Sequence, residues 1–308
     1  MDYDGATLTW SLVGRVTPSD LGLDGEGEGW LQLPTPVELD NGDIRVFFAT
    51  RRGQRPHIRS VDLRIQDGAI ENLHEIQASA PLIEPGGRNW DVDGIYPSSI
   101  VRVEDGFFLY TIGWERGPID PFFIARIGLV HLGLDLELVE YFVEPTLDLT
   151  KREPFLVSGP CVRRRDDEFE MIYTCGESWL ISSHGPDSRY SLRLARSSDG
   201  RVWKYRGIPS VMRTGEVTHI GRSAFLGDVA DGMIASVTTS HDPSYRLRIC
   251  SKVHADRWEI GESGILSDAP PNTVSAYPAV IHRDEETLLF ANGSDRGQSG
   301  FSILQQIG

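Results

Sequence analysis

The chain has 308 residues, of which 40% are hydrophobic, and it carries a formal net charge of −15 at pH 7. Such an acidic balance argues against a nucleic-acid partner, because phosphate binding requires a basic surface. No apolar run approaches the roughly 18 residues that span a membrane, and no signal peptide is evident at the N-terminus, so we expect a cytoplasmic protein without membrane contact.

The chain repeats one β-hairpin pattern five times. In each copy a short strand, a polar turn and an aromatic second strand fill a segment whose first and last residues are 14 positions apart. The copies begin 54 to 64 residues apart and cover residues 36–50, 97–111, 160–174, 224–238 and 278–292. A nearly constant repeat indicates an architecture in which each unit buries its apolar face against its neighbours.

Polar residues mark the turn of each hairpin. The turns fall at residues 40–43, 104–106, 165–167, 228–232 and 283–285. Asn-Gly and Asp-Gly, which occur in the first two, are strong hairpin signals because glycine tolerates the positive φ of a tight turn. A second pair of strands is expected in each repeat, most clearly at 190–205 around Asp199-Gly200 and at 245–260. Helical periodicity is nowhere sustained, which predicts an all-β chain.

The two ends of the chain complete the same pattern. The last repeat has its third strand at 301–307 and then stops one strand short. Residues 4–13 begin with Asp-Gly and include Trp10. In this they are similar to the segment from Asp199 to Trp203. Pairing of the two ends would remove exposed sheet edges. We therefore predict a single five-bladed β-propeller over residues 1–308, with four-stranded antiparallel blades and closure by the N-terminal strand.

Some residues have a structural interpretation in this pattern. Trp10, Trp203 and Trp258 are periodic, and we predict that they are structural. Cys161 and Cys175 occupy positions that could face each other across the third hairpin. They are two buried free thiols, a cross-strand disulfide or a soft metal pair.

The loop before the second hairpin carries a family resemblance. Residues 81–97 read Pro-Leu-Ile-Glu-Pro-Gly-Gly-Arg-Asn-Trp-Asp-Val-Asp-Gly-Ile-Tyr-Pro, and residues 197–203 read Ser-Ser-Asp-Gly-Arg-Val-Trp. Both resemble segments of the five-bladed propeller glycosidases, the superfamily around glycoside hydrolase families 43, 32 and 130. The resemblance covers the whole chain as a repeat pattern and implies a substrate funnel at the start of the innermost strands.

The resemblance also implies where catalytic carboxylates would stand. In hydrolases of the family-43 kind, acidic residues directly precede the inner strands of blades one, three and four. The matching positions here are Thr35, Gly159 and Arg222-Ser223, none of which is acidic. The usual catalytic set is therefore not matched.

Strand direction places a set of polar and aromatic residues on one rim. Residues before each first strand and after each second strand share that face, because the first strand leaves it and the second returns to it. Carboxylates, arginines and indoles that converge there suit a saccharide. We predict Asp93, Asp91 and Glu177 as catalytic residues, and Arg51, Arg52, Trp90, Trp114, Trp179, His219, Arg222, Tyr277, Gln32 and Ser158 as substrate-binding residues.

Each leading candidate has a structural alternative. Asp91 or Asp93 could organise an Asx turn before glycine, and Glu177 could be a solvated loop residue. A guanidinium at Arg222 suggests a carboxylate or phosphate on the ligand, or else an ion pair between blades. His219 could be a general base or a hydrogen-bonded core residue. No phosphate loop, zinc spacing or nucleophile elbow is present, and we expect no cofactor and no metal ion.

Two functions follow from these residues. In the first, the protein is a carbohydrate-active enzyme of the propeller glycosidase type that cleaves or rearranges a glycosidic or sugar-derived bond. Asp93, with Asp91 or Glu177, would supply acid and base. In the second, hydrolysis is lost, and the protein binds or modifies a sugar or nucleotide sugar in polysaccharide or natural-product biosynthesis. In both, the expected ligand is a small saccharide or glycoside, neutral or anionic.

Overall fold

The computed structural model describes residues 8–26, 28–117, 122–182, 185–211, 215–227, 232–242, 244–283 and 286–307. The predicted turns at 228–232 and 283–285 lie largely outside these ranges, as does the predicted start of the N-terminal strand at residues 4–7. No helix within the described ranges is long and apolar enough to cross a membrane.

The chain opens with a strand that belongs to the last blade and then builds the first blade. Strand β1 (Thr9–Val16) is followed by a short 3-10 helix (Leu23–Glu26). Blade one has β2 (Glu28–Glu38), β3 (Ile44–Arg52) and β4 (Arg55–Leu63) in antiparallel order. Its outer edge is formed by residues 79–83, whose backbone amides at Ser79 and Leu82 donate to carbonyls of β4.

A small excursion separates blades one and two. It contains β5 (Ile65–Gln66), β6 (Ala69–Ile70) and a second 3-10 helix (Leu73–Glu75). Strands β5 and β6 pair with each other as a minimal hairpin. The excursion packs beside blade one, where Ile65 joins the core cluster between blades one and five.

Blades two, three and four each contain four antiparallel strands in sequence order. The strands of blade two are β7 (Gly94–Val103), β8 (Gly106–Arg116), β9 (Phe123–Leu132) and β10 (Leu138–Tyr141). Those of blade three are β11 (Val157–Arg165), β12 (Glu168–Ser182), β13 (Gly185–Ser197) and β14 (Tyr205–Val211). Those of blade four are β15 (Val217–Phe225), β16 (Gly232–Thr239), β17 (Arg246–His254) and β18 (Arg257–Gly264).

The fifth blade joins the two ends of the chain. After the short β19 (Leu266–Ser267) come β20 (Ala276–Arg283), β21 (Glu286–Asn292) and β22 (Phe301–Ile307). Strand β1 pairs antiparallel with β22, from Thr9 opposite Ile307 to Val16 opposite Phe301. The predicted five-bladed propeller, its repeated hairpins and its closure by the N-terminal strand are confirmed.

The apolar core divides between the blades, as the repeat predicts. Five clusters of buried side chains fill the five interfaces between neighbouring blades. A sixth, smaller cluster around Leu33, Ile112, Ala125 and Leu156 lies near the axis, at the end where the inner strands begin. Each blade therefore depends on two neighbours for burial of its faces.

All five inner strands leave regular pairing at the same level. Register shifts interrupt the pairing of β2, β7, β11, β15 and β20 near the residue that begins each repeat. Four of those residues are prolines: Pro36, Pro97, Pro160 and Pro278. Proline has no amide hydrogen for the ladder and is tolerated inside a sheet mainly at bulges. The prolines therefore mark the bulges in the sequence.

The predicted structural tryptophans are buried, with exposed fractions of 0% for Trp10, 6% for Trp203 and 2% for Trp258. The three cysteines are free thiols. Cys175 pairs with Val157 and Cys161 with Ile172, so the two cysteines do not face each other. Burial raises the pKa of the Cys175 thiol to about 11, which keeps it protonated and unreactive at neutral pH.

Closure can be tested at Trp10, which packs with Leu226, Leu247 and Leu304 between blades four and five. We expect Trp10→Ala to lower the free energy of unfolding by about 3–5 kcal/mol, the usual cost of removing a buried large side chain. Chemical denaturation would measure the loss. The control Tyr205→Ala removes a side chain that is 69% exposed and should cost less than about 0.5 kcal/mol. Equal losses in the two variants would contradict a closing role for β1.

Candidate functional site

A cavity of about 450 Å³ opens on the axis at the end where the inner strands begin. We call it the funnel. It is lined by Trp30, Gln32, Leu33, Arg51, Tyr96, Ile112, Trp114, Phe123, Ala125, Ser158, Tyr277 and Arg296. None of these described lining residues is an aspartate or a glutamate. The funnel is therefore an aromatic pocket with arginine, amide and hydroxyl groups.

Arg51 is held in a fixed orientation at the end of β3. Its guanidinium lies over the ring of Trp30, with 4.6 Å between Cζ and the ring centroid. Its Nε donates to Gln32 Oε1 at 2.9 Å, and its Nη2 donates to the Tyr96 hydroxyl at 3.1 Å. All these partners are neutral, so within the described residues no carboxylate compensates the charge of Arg51. A preorganised, uncompensated guanidinium is suited to an anionic group on a ligand.

Arg296 adds a second positive charge from the loop after β21. Its guanidinium lies 5.8 Å from the ring centroid of Tyr245, and its backbone carbonyl accepts a hydrogen bond from Gln32 Nε2 at 2.9 Å. Gln32 thus connects the two arginine-bearing segments, since its other amide atom accepts from Arg51. No ion pair of Arg296 occurs in the described part of the chain.

Two tyrosines stand at equivalent positions on the inner strands of blades two and five. Tyr96 precedes Pro97 in blade two, and Tyr277 precedes Pro278 in blade five. Burial raises the pKa of Tyr96 to about 12, and burial likewise raises the pKa of Tyr277. Both hydroxyls therefore stay protonated at neutral pH and keep a hydrogen for donation.

The backbone of the funnel adopts uncommon conformations. Trp30, Leu33 and Tyr277 have φ values of 77°, 53° and 53°. Positive φ is unfavourable for bulky side chains, and such residues persist where the surroundings fix them, often at functional sites. All three lie at or beside the bulges of β2 and β20. The bulges thus turn these side chains toward the axis.

A second hollow adjoins the funnel on the side of blade three. We call it the side hollow, a space of about 550 Å³ that shares Phe123 with the funnel. Glu177 and Trp179 line it, and Trp179 packs edge-on to Phe122 and Phe123. Glu177 Oε1 accepts hydrogen bonds from Ser191 Oγ at 2.6 Å and Arg193 Nη2 at 3.3 Å. Among the three predicted catalytic residues, Glu177 lines a cavity beside the funnel.

Trp90 and Asp91 lie under the surface of blade two rather than in the funnel. Trp90 is 1% exposed, and its indole nitrogen donates to the carbonyl of Val143. Gly113 and Gly128 make room for the ring, since a Cβ on Gly128 would lie 2.0 Å from it. A fully buried indole offers no surface for stacking on a sugar.

Asp91 fastens the loop before β7. Its Oδ1 accepts from the backbone amides of Gly86 and Arg88, and its Oδ2 accepts from the Tyr141 hydroxyl at 2.7 Å. The side chain is fully buried. This arrangement matches the turn-organising alternative and leaves no route from Asp91 to a ligand in the funnel.

Asp93 lies at the rim, partly exposed, and does not line the funnel. Its Oδ2 accepts from the backbone amide of Arg116 at 2.8 Å, and its Oδ1 lies 3.8 Å from the Nε of Arg116. Asp93 therefore joins the loop before β7 to the end of β8. Its role in catalysis stays a prediction.

Three predicted binding residues lie elsewhere. Arg52 is 62% exposed in its side chain and donates to the buried Glu28. His219 packs edge-on to Tyr190, and its Nδ1 lies 2.8 Å from Thr238 Oγ1. Arg222 is buried near the axis and lines a separate cavity. Of the ten predicted binding residues, the funnel brings together Gln32, Arg51, Trp114, Ser158 and Tyr277.

Sequence reasoning did not select several lining residues. Tyr96 was recognisable, because it stands before the proline of its repeat as Tyr277 does. Arg296 had no such signal, since the loop after β21 has no counterpart at that length in the other repeats. Phe123 and Ala125 come from the third strand of blade two, which the hairpin pattern does not place at the funnel.

Comparison with known proteins identifies the fold. No protein-family model and no curated protein matches the chain. The structure resembles a glycoside hydrolase at 12% identity and a TM-score of 0.67, with 99% of this chain and 94% of that one covered. It also resembles β-1,2-mannobiose phosphorylase from Listeria innocua in complex with β-1,2-mannobiose, at 11% identity, a TM-score of 0.66 and coverage of 94% and 93%.

A third likeness is to Zg3597, a family 117 glycoside hydrolase produced by the marine bacterium Zobellia galactanivorans. It has 10% identity, a TM-score of 0.63 and coverage of 97% and 90%. At these identities the likeness is one of fold. The predicted resemblance to the five-bladed propeller glycosidases is confirmed at that level.

The two aspartates before β7 can be separated by their effect on stability. We expect Asp91→Ala to lower the free energy of unfolding by about 3 kcal/mol, because three donors lose a buried acceptor. Asp93→Ala, at a partly exposed position, should cost less than about 1 kcal/mol. Urea denaturation of both variants measures the difference. A larger loss for Asp93→Ala than for Asp91→Ala would contradict the assignment of Asp91 as the loop anchor.

Proposed function

We propose that the funnel binds a small saccharide that carries an anionic group, a carboxylate or a phosphate. The observation that supports this most directly is the combination of two arginines, Arg51 and Arg296, with an aromatic wall and no acidic residue among the described lining residues. The volume of the funnel, about 450 Å³, lies in the range of about 300–1,000 Å³ usual for small-molecule sites.

The aromatic wall supplies the surface for the sugar ring. Trp114, Phe123 and Tyr96 belong to blade two, and Tyr277 belongs to blade five. The C–H face of a pyranose packs on such rings, while its hydroxyls need donors and acceptors around the edge. Gln32, Ser158 and the two tyrosine hydroxyls are placed for that purpose.

The anionic group would be bound by the arginines. The Nη1 edge of Arg51 remains for a ligand, because its Nε and Nη2 already bind Gln32 and Tyr96. Contact with an ion strengthens a hydrogen bond, and a guanidinium can bind two oxygens of a carboxylate or phosphate at once. The net charge of −15 on the whole protein opposes the approach of an anion, so the attraction would come from these two arginines at short range.

Hydrolysis by two carboxylates has less support. That chemistry needs two acidic groups on either side of the scissile bond, about 5–10 Å apart. Asp91 is buried and saturated by three donors, and Asp93 binds the backbone of Arg116 at the rim. We therefore rank binding, or a non-hydrolytic step on a sugar or nucleotide sugar, ahead of hydrolysis.

The second candidate function is cleavage of a glycosidic bond with Glu177 as the acid. It is favoured by one observation, the shared wall at Phe123 between the funnel and the side hollow that Glu177 lines. A saccharide that extended from the funnel into the side hollow would reach this carboxylate. The fold shared with a phosphorylase that binds a mannobiose supports the saccharide class for both candidates.

Calorimetric titration tests the primary proposal. Glucose, mannose and galactose are each compared with their uronic acid and their 6-phosphate. At least one anionic member should bind tenfold or more tightly than its neutral partner. Arg51→Gln should remove that preference, because a hydrogen bond to a charged group contributes about 1.5–3 kcal/mol and each 1.4 kcal/mol is about tenfold in affinity.

The neighbouring residue provides a matched control. Arg52→Gln changes the same residue type one position along β3, but its side chain points away from the funnel to Glu28. It should keep the preference for the anionic ligand. Equal binding of neutral and anionic sugars by the unaltered protein would refute the proposal. Turnover of a glycoside that disappears in Glu177→Gln would establish the second candidate instead.

A further inference from the structure

The side hollow has the composition of an apolar binding site. Four aromatic rings line it, those of Phe122, Phe123, Phe155 and Trp179. Each of these residues is only partly buried, so the rings keep surface that a ligand can reach. Small-molecule sites are typically lined in this way, by aromatic side chains around an open space with few polar groups.

Blade three builds one wall of the side hollow with a projecting hairpin. The end of β12, residues 178–182, pairs with residues 185–189 of β13, whereas the inner strand β11 pairs with earlier residues of β12. We call this projecting part the arm. A two-stranded hairpin alone is marginally stable in water, and the arm packs on blade two through Trp179. The indole lies edge-on to Phe122 and Phe123, at centroid distances of 4.8 and 5.6 Å.

The charge in the side hollow is compensated by the protein itself. Glu177 is the one charged residue among the described lining residues. Its Oε1 forms an ion pair with Arg193 Nη2 at 3.3 Å and accepts a hydrogen bond from Ser191 Oγ at 2.6 Å. A hollow whose carboxylate is already paired suits a neutral apolar group better than an ion.

Strand β9 connects the side hollow with the funnel. Phe123 at the start of this strand lines both spaces. Of the next two residues, Ile124 lines the side hollow and Ala125 lines the funnel. A group joined to a sugar in the funnel would therefore enter the side hollow by passing the ring of Phe123.

We propose that the side hollow binds a planar aromatic group carried by the sugar, so that the ligand is an aryl glycoside with an anionic sugar. The inference rests on the proposed function, because the sugar in the funnel brings the aromatic group to the side hollow. Trp179 of the arm and Phe155 of the loop before β11 would contact that group. Aromatic rings attract each other in offset and edge-on arrangements, beyond the effect of the area that they bury.

Calorimetric titration compares methyl and 4-nitrophenyl glucuronides and galacturonides, each as both anomers. At least one 4-nitrophenyl glycoside should bind about tenfold more tightly than its methyl partner, because its ring leaves water for an apolar site. Trp179→Ala should remove most of this gain and leave the affinity for the methyl glycoside unchanged. A purely structural role of Trp179 would instead weaken the binding of both glycosides alike, which would contradict the inference.

Two further variants complete the comparison. Phe155→Ala changes a ring outside the arm and should also reduce the gain from the aryl group, which covers the case in which Trp179→Ala does not fold. The control Tyr205→Ala removes an aromatic side chain that is 69% exposed, on the outer strand of the same blade. It should keep the whole gain.

A probe without a sugar separates this inference from the proposed function. Crystals of the unaltered protein soaked in 4-iodophenol should show an anomalous iodine peak in the side hollow, in contact with Trp179 or Phe155. If no glycoside binds but the iodine peak is present, the proposed function of the funnel fails and the side hollow stands as an aromatic site. Sugar binding without a gain from the aryl group, a gain that persists in both alanine variants, or a side hollow without iodine would overturn the inference.

Discussion

Five inner strands surround one axis, and each of them leaves its regular β-pairing at the same level. This shared interruption determines what lies on the axis. On one side of it, backbone with positive φ at Leu33 and Tyr277 turns side chains into the funnel. On the other side the regular strands resume and enclose a separate cavity. Arg222 lies within the bulge of β15, and its side chain reaches blades one and two.

The repeat pattern was sufficient to predict the fold. Five blades are specified by the prolines at the start of the hairpins and by the turn residues between their strands. The similarity of the segments around Trp10 and Trp203 specifies the closure. These features are local in sequence, and they recur from blade to blade. The interblade cores then follow, since each apolar face has only a neighbouring blade to pack against.

The site was only partly predictable, because strand direction identifies a rim but not the orientation of each side chain. Trp90 and Asp91 were placed correctly before β7, yet they are buried there. Trp90 fills the space beside Gly113 and Gly128. Nothing in the spacing of Trp90 indicates that two glycines on neighbouring strands lie opposite it. Arg222 was read as an anion ligand in the funnel, whereas its side chain crosses the axis to blades one and two.

The chemistry of the funnel differs from that of an acid and base pair. Charge there is positive and comes from arginines held by neutral partners, which suits the proposed recognition of an anionic ligand. The same fold can carry recognition alone as well as catalysis, because function depends on the site and not on the fold. Bulges, backbone with positive φ and the half-buried side chains of Tyr96 and Tyr277 would then serve to keep the pocket rigid.

A crystal structure with the tightest-binding uronic acid or hexose 6-phosphate tests this account most directly. The account predicts the carboxylate or phosphate within hydrogen-bond distance of Arg51 or Arg296, with the sugar ring against Trp114 and Tyr96. A ligand whose anionic group faces solvent, or whose anomeric carbon lies beside Asp93 or Glu177 with both arginines unoccupied, would contradict it.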